Sequence, residues 1–349
     1  MKRESNIELL RIIAMLLVVL LHANYFSLGR VEISNIEAVT PQLFIKAFAE
    51  QLCIISVNVF ILISGWFGIR PNLKGGLSLL YQVAFFHLLI ILLLFSLEET
   101  ISISSIILGF YLGAFYWFVV AYLILYAIAP VLNAFTETAN AKLHLSVIAL
   151  FFFLEFSYGW IYSYGHFGNG YSAISFIGLY LLARFLYKYS SKIKIFNLTT
   201  SKNLLLYLFF SIIPVILLFI TKHDFGTINY SSPFVILASV FFFLAFTKLH
   251  FSSKAINYIS VSTFSIYLIH CHPLIAPHFK ELMRNAYDFL GGGLYMLFAI
   301  IFATCYGFCC VVLDKARIWT WNLLCKHLLN SILSQFNNFI DKLFTRIGL

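Results

Sequence analysis

The chain has 349 residues, of which 61% are hydrophobic and only 11% charged, with a mean hydropathy of +0.92 and a formal net charge of +9. A soluble domain carries about 25% charged residues, so these charges are too few to cover a water-facing surface, and an all-α integral membrane protein is expected. The apolar runs are long and unbroken, which excludes the alternating pattern of an outer-membrane barrel. The basic residues sit in short loops between those runs, where they set topology, so no nucleic-acid partner is expected.

Met1 to Asn6 carries Lys2 and Arg3 and is expected in the cytosol. The first apolar run, from Asn6 to about Leu28, is too long for a removable signal peptide and has no small-residue cleavage site. It carries Glu8, Arg11 and His22. Arg11 and His22 are eleven positions apart, which on a helix sets them within roughly 20° of one another and about 16 Å apart along the axis. Glu8 lies on nearly the same stripe. Charges in a bilayer usually face the bundle interior or a water-filled path, which makes this stripe a candidate site. The plainer alternative is that Arg11 snorkels at the inner surface and His22 is a satisfied interior histidine.

The loop from Gly29 to Pro41 is polar and expected outside. The second helix, about Leu43 to Phe67, holds Asn58 at membrane depth and Ser64-Gly65, a pair that permits close helix contact. It ends in GIRPNLKGG, an inner turn in which Arg70 either binds phosphate or only obeys the charge rule. A third helix, about Leu77 to Leu97, contains His87, read as an isolated structural residue. Ile101 to Phe115 reads as a short re-entrant or interfacial segment. The fourth helix runs from about Tyr116 to Leu132. The fifth, about Leu143 to Ile161, contains Glu155, the one acidic residue well inside a span, at a depth comparable to His22.

An outer loop of tyrosines and glycines, Tyr162 to Gly170, leads to the sixth helix, about Tyr171 to Tyr187, and then to the most basic loop, with Lys188, Lys192, Lys194 and Lys202. The tyrosines of Tyr158 to Tyr171 suit either an interfacial aromatic belt or sugar stacking. The seventh and eighth helices span about Asn203 to Thr221 and Ser232 to Leu249. The ninth, about Ile256 to Cys271, ends in HCHP. His270 and His272 point to different faces of a helix, so they do not form a zinc site by themselves, and no metal is expected. Leu274 to Phe289 reads as interfacial, and the tenth helix spans about Gly292 to Leu313. Asp314, Lys315 and Arg317 then open a tail.

This gives about ten spans with both termini cytosolic, a transmembrane domain over 1–318 and a cytosolic amphipathic tail over 319–349. Of the 23 Lys and Arg, only Arg30, Lys46, Lys222, Lys280 and Arg284 fall on the outer side. The six cysteines include Cys53, Cys271, Cys305, Cys309 and Cys310 in or beside apolar segments, which suits packing and not a disulfide framework.

Four strings together resemble a known family. They are the Arg11 to His22 spacing, NVFILISGW with Arg70 beyond it, YWFVVAYLILYAIAPVLN, and TFSIYLIHCHP. In this order they resemble the bacterial membrane-bound acyltransferase 3 family, which acylates surface glycans and similar acceptors. Relatives commonly carry an aspartate where this chain has Glu8, and a second Phe where it has Ile61. Some relatives also carry a soluble esterase-like domain, absent from these 349 residues, so the chemistry is expected within the helical domain.

The resemblance implies a multi-pass protein of the bacterial cytoplasmic membrane that moves an acyl group, most often acetyl, from cytosolic acyl-CoA to an acceptor hydroxyl on a surface or lipid-linked glycan. CoA is polyanionic and wants guanidinium groups at the inner mouth; Arg11, Arg70 and Arg184 are the candidates. His22 is the candidate general base, with Glu155 to hold its tautomer and stabilise the imidazolium. Asn58, Trp117, Tyr267 and His270, from the matching strings, are the candidates to contact substrate. No protein nucleophile is obligatory, so direct transfer is the default and an acyl-histidine the variant. A glycan or small-anion transporter or flippase is the alternative, since intramembrane His, Arg and Glu also suit a proton-coupled path; no repeated half with paired broken helices is visible to favour it. A polymerase of lipid-linked sugars would want an acidic pair at the outer start of a helix, and none is placed there.

Overall fold

The computed structural model describes residues 3–31, 40–97, 116–162, 165–222 and 229–326, with 102–103, 106–107, 330–331 and 334–335. Among these the chain is helical throughout, without a strand. The α-helices are α1 (Ser5–Leu21), α2 (Pro41–Cys53), α3 (Ser56–Phe67), α4 (Leu73–Ser96), α5 (Trp117–Thr138), α6 (Ala141–Leu154), α7 (Ala173–Tyr189), α8 (Thr200–Thr221), α9 (Pro233–Thr247), α10 (Lys254–Ser260), α11 (Thr263–His270) and α12 (Ala276–Leu324). The starts follow from local chemistry. Thr40, Asn72, Asn140, Ser172, Thr199 and Ser253 each accept, through a side-chain oxygen, the backbone N–H three residues on.

Seven helical segments among the described residues are long and apolar enough to cross a membrane: Ser5–Phe26, Pro41–Phe67, Leu73–Ser96, Trp117–Thr138, Ala141–Ile161, Thr200–Thr221 and Ala276–Leu324. The chain is a multi-pass membrane protein. The other three expected spans fall on shorter pieces: α7, α9, and α10 with α11. Most of the stretch from Ile101 to Phe115 and most of the tail 319–349 lie outside the described residues.

Two of the expected spans are interrupted. The second divides at Ile54 and Ile55 into α2 and α3, and the Tyr207 hydroxyl donates to the Leu52 carbonyl at 2.9 Å beside the break. The ninth divides at Val261 and Ser262. There Thr263 donates to Ser260 O, and Ser265 to Ser262 O and Cys310 O. Backbone groups released from a helix at membrane depth need partners of this kind, because lipid supplies none. Two other helices loosen without breaking. A π-helical stretch, His22–Phe26, follows α1, and another, Glu155–Ile161, follows α6. Such turns are frequent at functional sites.

Helix α1 packs chiefly on α3, α10 and α11, while α6 packs on α7. Gly65 sets the approach of α3 to α7: a Cβ there would lie 2.7 Å from Ala183 Cβ and 2.8 Å from Tyr180 O. This is the close contact expected of Ser64-Gly65. His87 is not isolated. Leu274 N–H donates to His272 Nδ1, which leaves His272 Nε2–H to donate to His87 Nδ1 at 2.9 Å and His87 Nε2–H to Ile106 O at 3.0 Å. The pair ties α4 to the end of α11.

Gly291, at φ +70°, separates the first part of α12 from the last span. The helix then continues past Leu313 to Leu324. Asp314 and Arg317, expected to open a solvated tail, are instead buried, pairing at 2.8 Å one helical turn apart, with Gln82 donating to Asp314. Mutual neutralisation is what lets two charges be buried there.

Candidate active site

One face of α1 runs past two cavities. Glu8 and Arg11 line the first, of about 380 Å³; Met15, Val18, His22 and Tyr25 line the second, of about 710 Å³. The spacing of three and four residues along this stripe is that of a single helical face.

At His22 the geometry is a tight cluster. His22 Nδ1 lies 2.9 Å from His270 Nε2, and the Cys271 sulfur is 3.5 Å from the first nitrogen and 3.3 Å from the second. His270 Nδ1 contacts the Ile266 carbonyl oxygen. A carbonyl only accepts, so Nδ1 carries the proton of a neutral His270 and its Nε2 is an acceptor. His22 Nδ1 must then donate, which leaves the lone pair of a neutral His22 on Nε2. His22 is half-buried and lines the larger cavity; His270 is buried behind it. The partner that holds the His22 tautomer is thus an imidazole. The π-helical stretch begins at His22 itself, and Ser27 donates back to its carbonyl at 2.8 Å.

The larger cavity is walled mainly by rings. Trp117, Tyr171 and Tyr230 stand together, with Trp117 4.7 Å from Tyr171 and Tyr171 4.6 Å from Tyr230, centre to centre. Lys280, over the Phe26 ring at 3.7 Å, is the one lysine among the lining residues. The smaller cavity is more polar than the larger, with apolar residues sharing its wall. Arg3 lies 3.7 Å and Arg11 3.4 Å from opposite oxygens of Glu8. Ser260 and Thr263, from the break between α10 and α11, line it too, as do Gln82 and Tyr122.

The candidates from sequence divide accordingly. Arg11 and His22 fall on the two cavities, and Trp117 and Tyr267 line the larger one. Asn58 is buried and donates to Tyr230 O at 3.1 Å, so it supports that wall from behind. His270 meets His22. Arg70 is exposed and Arg184 donates to Trp66 O at 3.1 Å at the end of α3; neither lines either cavity. The second arginine beside Arg11 is Arg3. Glu155 is not brought to His22: it is buried on the π-helical stretch after α6 and accepts from Ser231 at 3.2 Å. Equal depth did not make them neighbours, because α1 and α6 pack against different helices.

Sequence reasoning missed Cys271, whose place between two imidazoles depends on α11 lying against α1. Lys280 and Tyr230 carry no signal in the sequence beyond a place in or beside a loop between apolar runs. Among the described residues, His22, His270 and Cys271 are also the group that could hold a metal ion, their ligand atoms lying within 4.8 Å of one another. A hydrogen bond between the two imidazoles accounts for their 2.9 Å separation as well.

A family model described as an acyltransferase domain matches residues 4–313, which takes in every residue lining the two cavities except Arg3. No curated protein and no solved structure matches the chain.

Proposed function

Because the chain belongs to the acyltransferase 3 family, we propose that it is a membrane-bound O-acyltransferase that moves an acetyl or similar acyl group from cytosolic acyl-CoA to a hydroxyl of a surface or lipid-linked glycan. The observation that carries this reading is the His22–His270 pair, which leaves one basic nitrogen of His22 beside a cavity large enough for a sugar. The Lys and Arg bias supports a cytosolic Arg11 end of α1. Arg3 and Arg11 there suit the phosphates of CoA, and the longer, uncharged pantetheine arm spans the roughly 16 Å of helix rise to His22.

The reaction follows from these placements. His22 Nε2 takes the proton of the acceptor hydroxyl. The oxygen attacks the thioester carbonyl, an O–C bond forms, the C–S bond to CoA breaks, and the CoA thiolate recovers the proton. While protonated, His22 still donates through Nδ1 to His270, which Ile266 O holds in the accepting tautomer. A neutral imidazole stabilises that cation less than a carboxylate would. Trp117, Tyr171 and Tyr230 suit stacking on the acceptor sugar. The membrane on this reading is the bacterial cytoplasmic membrane, with residues 1–318 forming the catalytic domain and 319–349 a cytosolic amphipathic tail.

The transport alternative draws on the two interrupted spans, a feature shared with many transporter sites. One experiment separates the two. Protein in nanodiscs is incubated with radiolabelled acetyl-CoA and the host's lipid-linked glycans, and glycan movement is followed in liposomes. Label entering the glycan supports the acyltransferase. Glycan movement with no acyl transfer from any acyl-CoA supports transport.

A further inference from the structure

The two cavities have three lining residues in common: Phe60 of α3, Phe118 of α5 and Phe264 of α11. Phe118 is central, its ring centre 6.4 Å from Phe60 and 6.3 Å from Phe264. These separations are near the upper end of the range for interacting rings, so the three touch without interlocking. Further rings continue the contact on each side. Phe118 stacks on Tyr122, which lines the Arg11 cavity, and Phe264 on Tyr267, which lines the His22 cavity. A wall one aromatic layer thick therefore stands between the arginines and the imidazole.

We propose that Phe60, Phe118 and Phe264 form the passage through which the acyl-bearing pantetheine arm reaches His22, and that their bulk determines which acyl chains pass. This rests on the acyltransferase reading given above. The physical case has three parts. First, the donor's charged end and its thioester have opposite needs. Phosphates placed among phenyl rings would lose their hydration without compensation, so they stop at Arg3 and Arg11, whereas an uncharged arm and a short acyl chain lose little. Second, the α1 stripe between Arg11 and His22 presents Met15 and Val18, with no charge to hold or repel the arm. Third, the rings come from three different helices, each of which also carries or abuts a functional group. α3 holds Asn58, α5 begins at Trp117, and α11 ends at His270. A ring turning on one helix opens the wall while leaving the catalytic pair in place.

The occupant sets the test, which compares transfer from acetyl-, butyryl- and hexanoyl-CoA to one glycan acceptor in nanodiscs. Phe118→Ala is expected to raise the hexanoyl-to-acetyl rate ratio by about tenfold or more, the scale on which added methylenes are discriminated in an apolar pocket. Phe118→Trp is expected to move the same ratio the other way. Phe264→Leu, a smaller trim that leaves the core filled, is expected to shift it in the direction of Phe118→Ala and keeps the test alive if the alanine variant fails to fold. Rings that serve packing alone would lower all three rates together and leave the ratio unchanged, and that result overturns the passage. A wild type that transfers no acyl group from any of the three donors overturns the acyltransferase reading and the passage with it. A wild type that transfers, with a ratio indifferent to Phe118 and Phe264, overturns the passage alone.

Discussion

The cavity at Arg11, about 380 Å³, sets arginines, a carboxylate and hydroxyls among apolar residues; the cavity at His22, about 710 Å³, is walled mainly by rings around one imidazole. Both lie along one face of one helix. The difference shows how a membrane helix separates two tasks by depth. Near its start, charge is held by a Glu8 bridge between Arg3 and Arg11, a surface-type arrangement that still leaves room for an anion. Eleven residues further in, the one lining residue with a full charge is Lys280, and the polarity at the helix itself is met by imidazoles that bond to one another and to a backbone carbonyl. The histidines of HCHP repeat that contrast on a smaller scale. His272 and His87 bond at all four ring nitrogens, as structural residues do, whereas the His22–His270 pair leaves Nε2 of His22 for chemistry.

If the two cavities do different work, substitutions should fail differently. The largest effect belongs to His22→Gln, which keeps hydrogen bonding but cannot cycle a proton. Glycan acylation should fall by about 10²- to 10⁴-fold, measured as kcat with saturating donor, while detergent stability stays near wild type. Normal turnover in this variant would make the imidazole structural and erase the distinction.

His270→Phe comes next. It keeps bulk but leaves His22 Nδ1–H without its acceptor, a loss of about 1–3 kcal/mol for a buried donor. Turnover should fall by about tenfold or more, with KM for acyl-CoA unchanged. His270→Gln, whose amide oxygen can accept the same bond, should recover part of kcat. Equal losses in both variants would mean that His270 acts by packing and not by holding the His22 tautomer.

The smallest effect is expected at Glu155. Glu155 and its partner Ser231 line neither cavity, so Glu155→Gln should change kcat by no more than about threefold, well short of what loss of a general base costs. A loss as large as that of His22→Gln would return Glu155 to the catalytic group and undo the division by cavity.

These outcomes bear on what the sequence could disclose. Arg11 and His22 were legible as one stripe because helical period alone fixes their phase. Close contact at Gly65 was legible because a missing side chain in an apolar run has few other uses. The partner of His22 was not, since depth is readable from one helix but adjacency is a property of the bundle. Glu155 matches His22 in depth and sits on a helix that packs elsewhere, while His270, 248 positions away, meets it at 2.9 Å. Arg184 was ambiguous for a similar reason. An arginine near the inner surface can serve a phosphate or the carbonyls at a helix end, and here it donates to Trp66 O. The π-helical stretches at His22 and Glu155 leave no compositional mark, and the break between α10 and α11 is foreshadowed only by its run of Ser and Thr.

The central claim is that donor binding and chemistry lie in separate cavities, and it is tested most directly by titrating CoA calorimetrically into Arg11→Ala and His22→Gln side by side. The account predicts that Arg11→Ala weakens CoA by about tenfold or more, the scale of a lost charged hydrogen bond, that Arg11→Lys restores only part of it, and that His22→Gln binds CoA as wild type does. Wild-type affinity in Arg11→Ala, or an equal loss in both variants, would contradict it.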